Sequence, residues 1–461
     1  MWSEFFQLLK LLVLLPYTIF KVRRKVKKQK KEDSNKDLTK VGLFHIPCDT
    51  NGGGEKVLWS IAADFLKKGG YEIYVFSRPI EDKAAMIDKA NKYFGMDLDV
   101  NQLNFVELEI GNLTYHHNYT FLSRYLEALS HYLVMPYYLD QFMPDVMIES
   151  MSAHFSAKSA KLCNPDLKYI TYVHFPFTSQ LVVDGFRRMI SDKSAGLKRR
   201  IFGAIKWVYN VPLLWFYKGA GKSPDLILAN SSWTADHCRH NWESYINKIK
   251  VEYPPCNVNE FWCQDFENKE PLLLSFAQFR PEKRHEIQLD AWARFKREHP
   301  NSKLKLKMVG SCKDEGSMKL SQEIEAKIKT LNIPDVEVIR NQSFTQIKSI
   351  FAKAAFGIHT MIDEHFGIAV VEMLAGGMVV MAHNSAGPKE DILHHGTETY
   401  GRLCEDDTYY TALCEEWEKY QTKEGRKQQI EMIKKGQAWC KQELTNDAFG
   451  DRLFKMVQTI M

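Results

Sequence analysis

A chain of 461 residues that is 45% hydrophobic and 26% charged has the composition and length of roughly two to three globular domains, which excludes a disordered or fibrous protein. The net charge of +5 is too small for a nucleic-acid partner, and eight of the basic residues lie together in residues 21–31 (KVRRKVKKQKK), without an acid. Nine cysteines with no CxxC pair and no Cys/His metal spacing exclude a disulfide framework and a zinc site, and place the folded body in a reducing compartment, the cytosol.

Residues 5–20, FFQLLKLLVLLPYTIF, are apolar apart from Gln7, Lys10 and Thr18, with Pro16 breaking the pattern. As a helix this stretch is about 24 Å long, short of the ~30 Å hydrocarbon core of a bilayer. A cleaved signal peptide carries its basic residues before the apolar run, whereas here the basic cluster follows it. Residues 1–31 therefore read as an uncleaved membrane anchor with a basic flank, either a tilted span or a helix lying in the interface. An amphipathic helix packed on the protein itself is the alternative. A span would put residue 21 onward in the cytosol, where the four Asn-x-Ser/Thr sequons at Asn112, Asn118, Asn230 and Asn341 are silent. Residues 32–40 (EDSNKDLTK) form a polar linker.

From Val41 onward strand-like runs alternate with helical patterns. VGLFHI, YEIYVFS, NFVELEI, DVMIES, YITYVHF and DLILANS make up a first unit, 41–262. The Pro-marked stretch VEYPPCNVNEF (251–261) reads as a linker, after which LLLSFAQF, KLKMVGS, VEVIRNQS, FGIHTM and VVMAHNS restart the alternation in a second unit, 263–430. This pattern predicts an α/β protein with two doubly wound, Rossmann-like domains built on parallel sheets. The helical residues 431–461 are expected to cross back onto the first domain. Residues 180–220 depart from the alternation. Arg187, Arg188, Lys198, Arg199, Arg200 and Lys206 stand among Phe186, Phe202, Trp207, Trp215 and Phe216, which suits a membrane interface, single-stranded nucleic acid or a helical hairpin packed on its own domain.

Four motifs carry chemistry. In NGGGEKVL, Gly52, Gly53 and Gly54 stand between a strand and a helix, yet the loop satisfies neither G-x-G-x-x-G nor the P-loop pattern. It keeps the generic anion-facing helix start, with a structural turn as the alternative. In HTMIDEHFGIAVVEMLAGG, Glu364 falls in the loop after a strand, Phe366 and Gly367 open a helix, and Glu372 lies near that helix's second turn. An acid among IAVVEMLA is costly unless it has partners. In SFAQFRPEKRHE, Arg280 and Lys283 fall at the carboxyl edge of a strand, where open α/β sheets bind ligands and where cations neutralise a diphosphate. In YVHFPFTS, His174 follows a buried strand just before Pro176, in a structural or a functional role.

Together GGGE, YVHFP, NSSWT (230–234), YPPC (253–256), FRPEK and EHFGIAVVE occur in the order found in the retaining glycosyltransferases of family 4, and the chain resembles that family over nearly all of residues 41–400. Within it, HTMIDEHFGIAVVEMLAGG followed by AHNSAGPKEDI resembles the α-1,2-mannosyltransferases of the dolichol pathway. The resemblance implies a GT-B fold, with two domains facing across a cleft. It implies GDP-mannose as donor, a dolichol-diphosphate-linked oligosaccharide as acceptor, and the cytosolic face of the endoplasmic reticulum membrane as the place of reaction. It also implies a contact with other early mannosyltransferases, and no cofactor or metal. By the same resemblance Glu372 holds the donor ribose, Glu364 contacts the transferred mannose, Lys283 binds the diphosphate, and His174 touches the sugar from the first domain. Gly52–Gly54 would lie under the diphosphate and acceptor. Where many members carry Gly-Arg this chain has Ala277-Gln278, five residues before the lysine, so Arg280 is the nearest arginine. Two rivals stand beside this reading: a related transferase with another nucleotide sugar or lipid acceptor, and a non-catalytic membrane scaffold.

Overall fold

The computed structural model describes residues 2–32, 38–50, 52–115, 118–192, 194 and 196–461. The chain forms two compact units. The first holds residues 1–230, 234–252 and 450–461; the second holds residues 231–233 and 253–449.

The first unit is built on seven parallel strands, β1 (Thr39–Phe44), β2 (Tyr71–Ser77), β3 (Leu103–Glu107), β4 (Val146–Glu149), β5 (Lys168–Val173), β6 (Leu226–Ala229) and β7 (Ile249–Val251), in the order β3-β2-β1-β4-β5-β6-β7. Val41, Leu43, Phe44, Ile148 and Tyr172 are fully buried, as a sheet covered by helices on both faces requires. The helices of this unit are α1 (Trp2–Glu32), α2 (Gly53–Lys68), α3 (Lys83–Phe94), α4 (Ser123–Gln141), α5 (Ser156–Cys163), α6 (Gln180–Ser191), α7 (Leu197–Ala220) and most of α8 (Ser232–Asn241).

The second unit contains α9 (Val258–Phe261), α10 (His285–Glu298), α11 (Glu315–Thr330), α12 (Phe344–Lys353), α13 (Ile368–Ala375), α14 (Tyr409–Tyr420) and α15 (Lys423–Glu443). Its parallel sheet comprises β8 (Glu270–Phe276), β9 (Lys305–Gly310), β10 (Val336–Arg340), β11 (Ala354–His359), β12 (Val379–His383) and β15 (Arg402–Cys404), in the order β10-β9-β8-β11-β12-β15, with a small hairpin of β13 (His394–His395) and β14 (Glu398–Thr399) beside it. Leu273, Phe356, Trp292 and Phe295 belong to one of its core clusters.

Three boundaries differ from the sequence reading. The division falls between Glu252 and Tyr253 rather than at 262. The stretch expected to be a linker carries too much apolar surface to be one: Cys256, Val258 and Phe261 are buried in the second unit, where Phe261 stacks on Phe351 at 4.2 Å. At the C-terminus α15 stays with the second unit, and Gln437 there donates to the carbonyl of Ala375 (2.9 Å). Only residues from Gly450 on, most of α16 (Asn446–Gln458), group with the first unit; Phe454 packs edge-on against Phe65 and Tyr71, at 5.9 Å from each. At the N-terminus β1 begins at Thr39, inside the expected linker, whose residues 33–37 lie outside the described ones.

The apolar N-terminal segment is a single helix, and it packs on its own unit. Leu8, Leu11, Leu15, Val22 and Val26, spaced to fall on one helical face, join the core cluster that contains Leu133, Val134 and Tyr138 of α4. Tyr137 of α4 donates its hydroxyl to the carbonyl of Leu11 (3.0 Å), and Lys25 pairs with Asp140 (2.7 Å).

Candidate active site

In the second unit, β8 and β11 are the neighbours at which the strand order reverses. Open α/β sheets bind ligands beyond the carboxyl ends of the strands at such a point. Beyond β8 a single 3-10 turn, Pro281–Lys283, leads into α10 through Arg284, whose φ of 53° lies in the left-handed region. Beyond β11, Thr360 sits with its hydroxyl 2.8 Å from the carbonyl of Lys283 and accepts from Gln288 Nε2 (3.0 Å). These bonds bring the two strand exits together.

The result is a charged triplet. The Lys283 ammonium pairs with Oε2 of Glu364, and His359 Nε2 lies 2.9 Å from the same oxygen. Burial opposes a charge on Glu364, but Lys283 and then His359 outweigh it and hold the carboxyl well below its ordinary range. Burial also lowers the His359 pKa, against the opposing pull of Glu364. The ring is therefore neutral at pH 7, and with Nε2 facing a carboxylate it is the Nε2–H tautomer that donates.

Gly367 precedes α13 with a φ of 111°, a conformation that strains any residue with a Cβ. Its left-handed turn is what lets the chain pass from Glu364 into the helix, whose first amides lack partners within it. Glu372 follows on the second turn, buried among the apolar residues of α13, with Oε1 3.4 Å from the backbone amide of Asn257. Trp233, from the NSSWT segment, brings its ring 5.2 Å from that of His365. Asp391 accepts from the Ser232 amide and from the Tyr253 hydroxyl, both at 3.0 Å, so the NSSWT and YPPC segments meet on one buried carboxylate. Arg280 is exposed, lies 3.9 Å from Glu282, and lines a shallow depression with His285, Leu289 and Leu320. It makes no part of the Lys283–Glu364–His359 triplet.

The first unit has a corresponding point between β1 and β4. His45 follows β1, Ser150 follows β4 and His174 follows β5. His45 Nδ1 is 3.0 Å from Ser150 Oγ, and His174 Nε2 donates to the Ser150 carbonyl, also at 3.0 Å. The start of α2 lies on these two rings: a Cβ placed on Gly54 would be 3.3 Å from His45 Cε1 and 3.6 Å from His174 Nε2. Gly53 is the first residue of α2, and the Gly52 amide donates to Glu55 Oε2 (2.7 Å). Glu55 also accepts from the Thr50 hydroxyl and lies 3.7 Å from His45 Nε2. Part of the glycine loop's donor capacity is thus turned inward onto Glu55.

Burial opposes the charge on Glu55, but His45 and Thr50 outweigh it and depress the carboxyl to about 2 from its ordinary 4.5. A depressed carboxyl adds stability that is fully present above pH 4.5 and gone once pH falls through about 2. Melting curves between pH 7 and pH 2.5 should therefore show the wild-type chain losing more stability below pH 4.5 than Glu55→Gln; parallel losses would show that the clamp contributes nothing.

The structure brings Lys283 and Glu364 into contact, sets Gly367 at the start of the helix that follows them and Glu372 within it, and joins Gly54 to His174. His45, Glu55, Ser150 and His359 belong to these clusters and escaped the sequence reading. The available signals were His45 and His359 at the ends of strands, and Glu55 three residues after Gly52, where a helix N-terminus accepts a returning carboxylate.

Comparison with known proteins follows the same two-part division. Residues 38–242 match the family described as "ALG11 mannosyltransferase N-terminus", and residues 259–439 match "Glycosyl transferases group 1". The chain is 32% identical over 412 residues to the "GDP-Man:Man(3)GlcNAc(2)-PP-Dol alpha-1,2-mannosyltransferase" of Xenopus laevis, covering 84% of this chain and 82% of that one. The human protein of the same name is 31% identical over 411 residues, covering 84% and 81%. Among solved structures, sucrose-phosphate synthase from Thermosynechococcus elongatus superposes with a TM-score of 0.65 at 14% identity, over 92% of this chain and 99% of that one. Anabaena HepE in complex with UDP and glucose gives 0.60 at 14% identity, over 91% and 100%. These likenesses establish the GT-B fold, and the sequence identity over most of both chains goes further: the chain belongs to the GDP-Man:Man(3)GlcNAc(2)-PP-Dol alpha-1,2-mannosyltransferase family.

Proposed function

We propose that this chain moves mannose from GDP-mannose, with retention, onto a dolichol-diphosphate-linked oligosaccharide, forming α-1,2 linkages at the cytosolic face of the endoplasmic reticulum membrane. The observation that carries the site assignment is the Lys283–Glu364–His359 triplet, largely enclosed at the strand exits of the second unit directly before α13.

In this reading the Lys283 ammonium, which has three N–H groups, turns toward the departing diphosphate, aided by the first amides of α13. Glu372 binds the ribose hydroxyls, and Glu364, held in place by His359, binds a hydroxyl of the mannose. His174, beside Gly54, meets the sugar from the first unit, and Gly52–Gly54 leave room for phosphate and acceptor. The acceptor hydroxyl attacks the anomeric carbon on the face from which the phosphate leaves. A C–O bond forms, the bond from the anomeric carbon to the phosphate oxygen breaks, and the hydroxyl proton passes to the leaving phosphate. No carboxylate is required as a nucleophile, and the neutralising charge is assigned to Lys283 rather than to a metal.

The test uses the full chain in detergent, with GDP-mannose and a short-chain lipid-linked trimannosyl acceptor. The expected product carries mannose that an α-1,2-mannosidase removes. Transfer only from another nucleotide sugar would favour the related-transferase reading, and no transfer from any donor by a folded chain would favour the scaffold.

A further inference from the structure

We infer that Glu149, a fully buried acid at the end of β4, is a positioning residue for the reaction: it holds the loop whose Ser150 aims His174. The inference rests on the transferase reading and on the part given there to His174.

Residues 150–153, which follow Glu149, belong to neither strand nor helix, so their amides need partners outside a ladder. Glu149 Oε1 accepts from two of them, Met151 and Ala153, each at 2.7 Å. Its Oε2 accepts from the Thr171 hydroxyl on β5, the neighbouring strand. The loop therefore closes around one side chain. Within it Ser152 has a φ of 65°, a left-handed conformation that a residue with a Cβ keeps only where its surroundings fix it. A carboxyl with no exposed surface is costly, and Val146, Met147 and Ile148 before it show that an apolar residue suits this strand. The strand does not need an acid there; the loop does.

Ser150 lies between Glu149 and the first amide that Glu149 grips. Its carbonyl accepts from His174 Nε2 and its hydroxyl lies against His45 Nδ1, both at 3.0 Å. Its own amide donates to the Phe44 carbonyl of β1 (3.2 Å). A carbonyl can only accept, so in a neutral His174 ring this bond keeps the proton on Nε2 and makes Nδ1 the acceptor nitrogen. The aim of the ring matters, because a displacement of about 1 Å at a group that meets substrate can lower the rate about a hundredfold. Burial pushes the Glu149 pKa up, against the pull of Thr171 and the two amides. What the loop takes from this side chain is acceptor oxygen rather than charge. Glutamine keeps one such oxygen for the two amides, and its nitrogen would meet the Thr171 hydroxyl, which can accept. Alanine keeps neither.

The test uses the full chain with GDP-mannose and the lipid-linked trimannosyl acceptor. Glu149→Ala should lower kcat about tenfold or more, and Glu149→Gln should recover it to within about threefold of wild type. GDP affinity, set under the proposed roles by Lys283 and Glu372, should be unchanged in both. In a His174→Ala background, Glu149→Ala should lower kcat by less than about threefold, because there is no ring left to aim. A residue that only stabilised the fold would lower kcat by the same factor in both backgrounds, and that result would overturn the inference. So would wild-type kcat in Glu149→Ala, or a Glu149→Gln no better than Glu149→Ala. If Glu149→Ala shows no cooperative melting transition, Thr171→Val takes its place, removing only the donor to Oε2. It should lower kcat about threefold alone and leave it unchanged beside His174→Ala; equal losses in the two backgrounds would again overturn the inference, with the transferase reading left standing. A folded wild-type chain that transfers no mannose would overturn that reading, and the inference with it.

Discussion

Replacing Lys283 with alanine is expected to abolish mannose transfer and to weaken the second unit at the same time. The two effects have one origin. Glu364 is largely buried, and burial alone works against its charge; the ammonium of Lys283 is the strongest influence keeping it ionised. Removing one partner of such a pair leaves the other uncompensated, which costs on the order of 3 kcal/mol when the pair is mostly buried. The Glu364 carboxyl in Lys283→Ala should also titrate at a higher pH than in the wild type. Pairing Lys283→Met with Glu364→Gln removes both charges and should restore most of the denaturation midpoint while transfer stays absent. If Lys283→Ala kept both its midpoint and its turnover, the pair would be a surface ornament and the phosphate assignment would fall.

The second large effect is expected at Glu372, with the opposite signature. Its carboxylate is buried on α13 among Val370, Val371, Met373 and Leu374, an environment that penalises charge. Glu372→Ala should therefore leave the fold intact. Losing a charged acceptor for two ribose hydroxyls should lower kcat/KM by about a hundredfold or more. Glu372→Gln, which keeps one acceptor oxygen, should fall between the two. Circular dichroism separates folding from function here, and titration with GDP locates the loss in donor binding. Near-normal GDP affinity and turnover in Glu372→Ala would overturn the ribose assignment.

Much of the fold was legible because parallel strands buried on both faces spell continuous apolar runs. Every run read as a strand from VGLFHI to VVMAHNS is one. β7 was missed because Ile249–Val251 runs into the proline-marked stretch and is too short to show a period. The domain boundary was misplaced for a related reason. Pro254 and Pro255 signal a stiff, extended backbone, but say nothing of where Cys256 and Phe261 bury themselves. At the site, the seven residues between Glu364 and Glu372 were enough to set one acid before a helix and the other within it. What spacing cannot convey is the approach of residues distant in sequence. His45 meets Ser150 across 105 positions, and Lys283 meets Glu364 across 81. Both meetings depend on sheet order, which puts β1 beside β4 and β8 beside β11. The sequence placed Arg280 and Lys283 at one strand edge and favoured the lysine for the phosphate; the turn at Pro281–Lys283 separates them, leaving Arg280 beside Glu282 and delivering Lys283 to Glu364.

The Lys283–Glu364 pair also bears on which anions the site admits. Lys283 meets any incoming ligand already neutralised, so a lone inorganic phosphate must draw the ammonium away and strand a carboxylate in a poorly solvated place. A sugar nucleotide brings both halves of the exchange, phosphate oxygens for the lysine and hydroxyl donors for the glutamate. Under the proposed roles the site therefore answers to a ligand's combination of groups rather than to its charge, which would keep it clear of small anions.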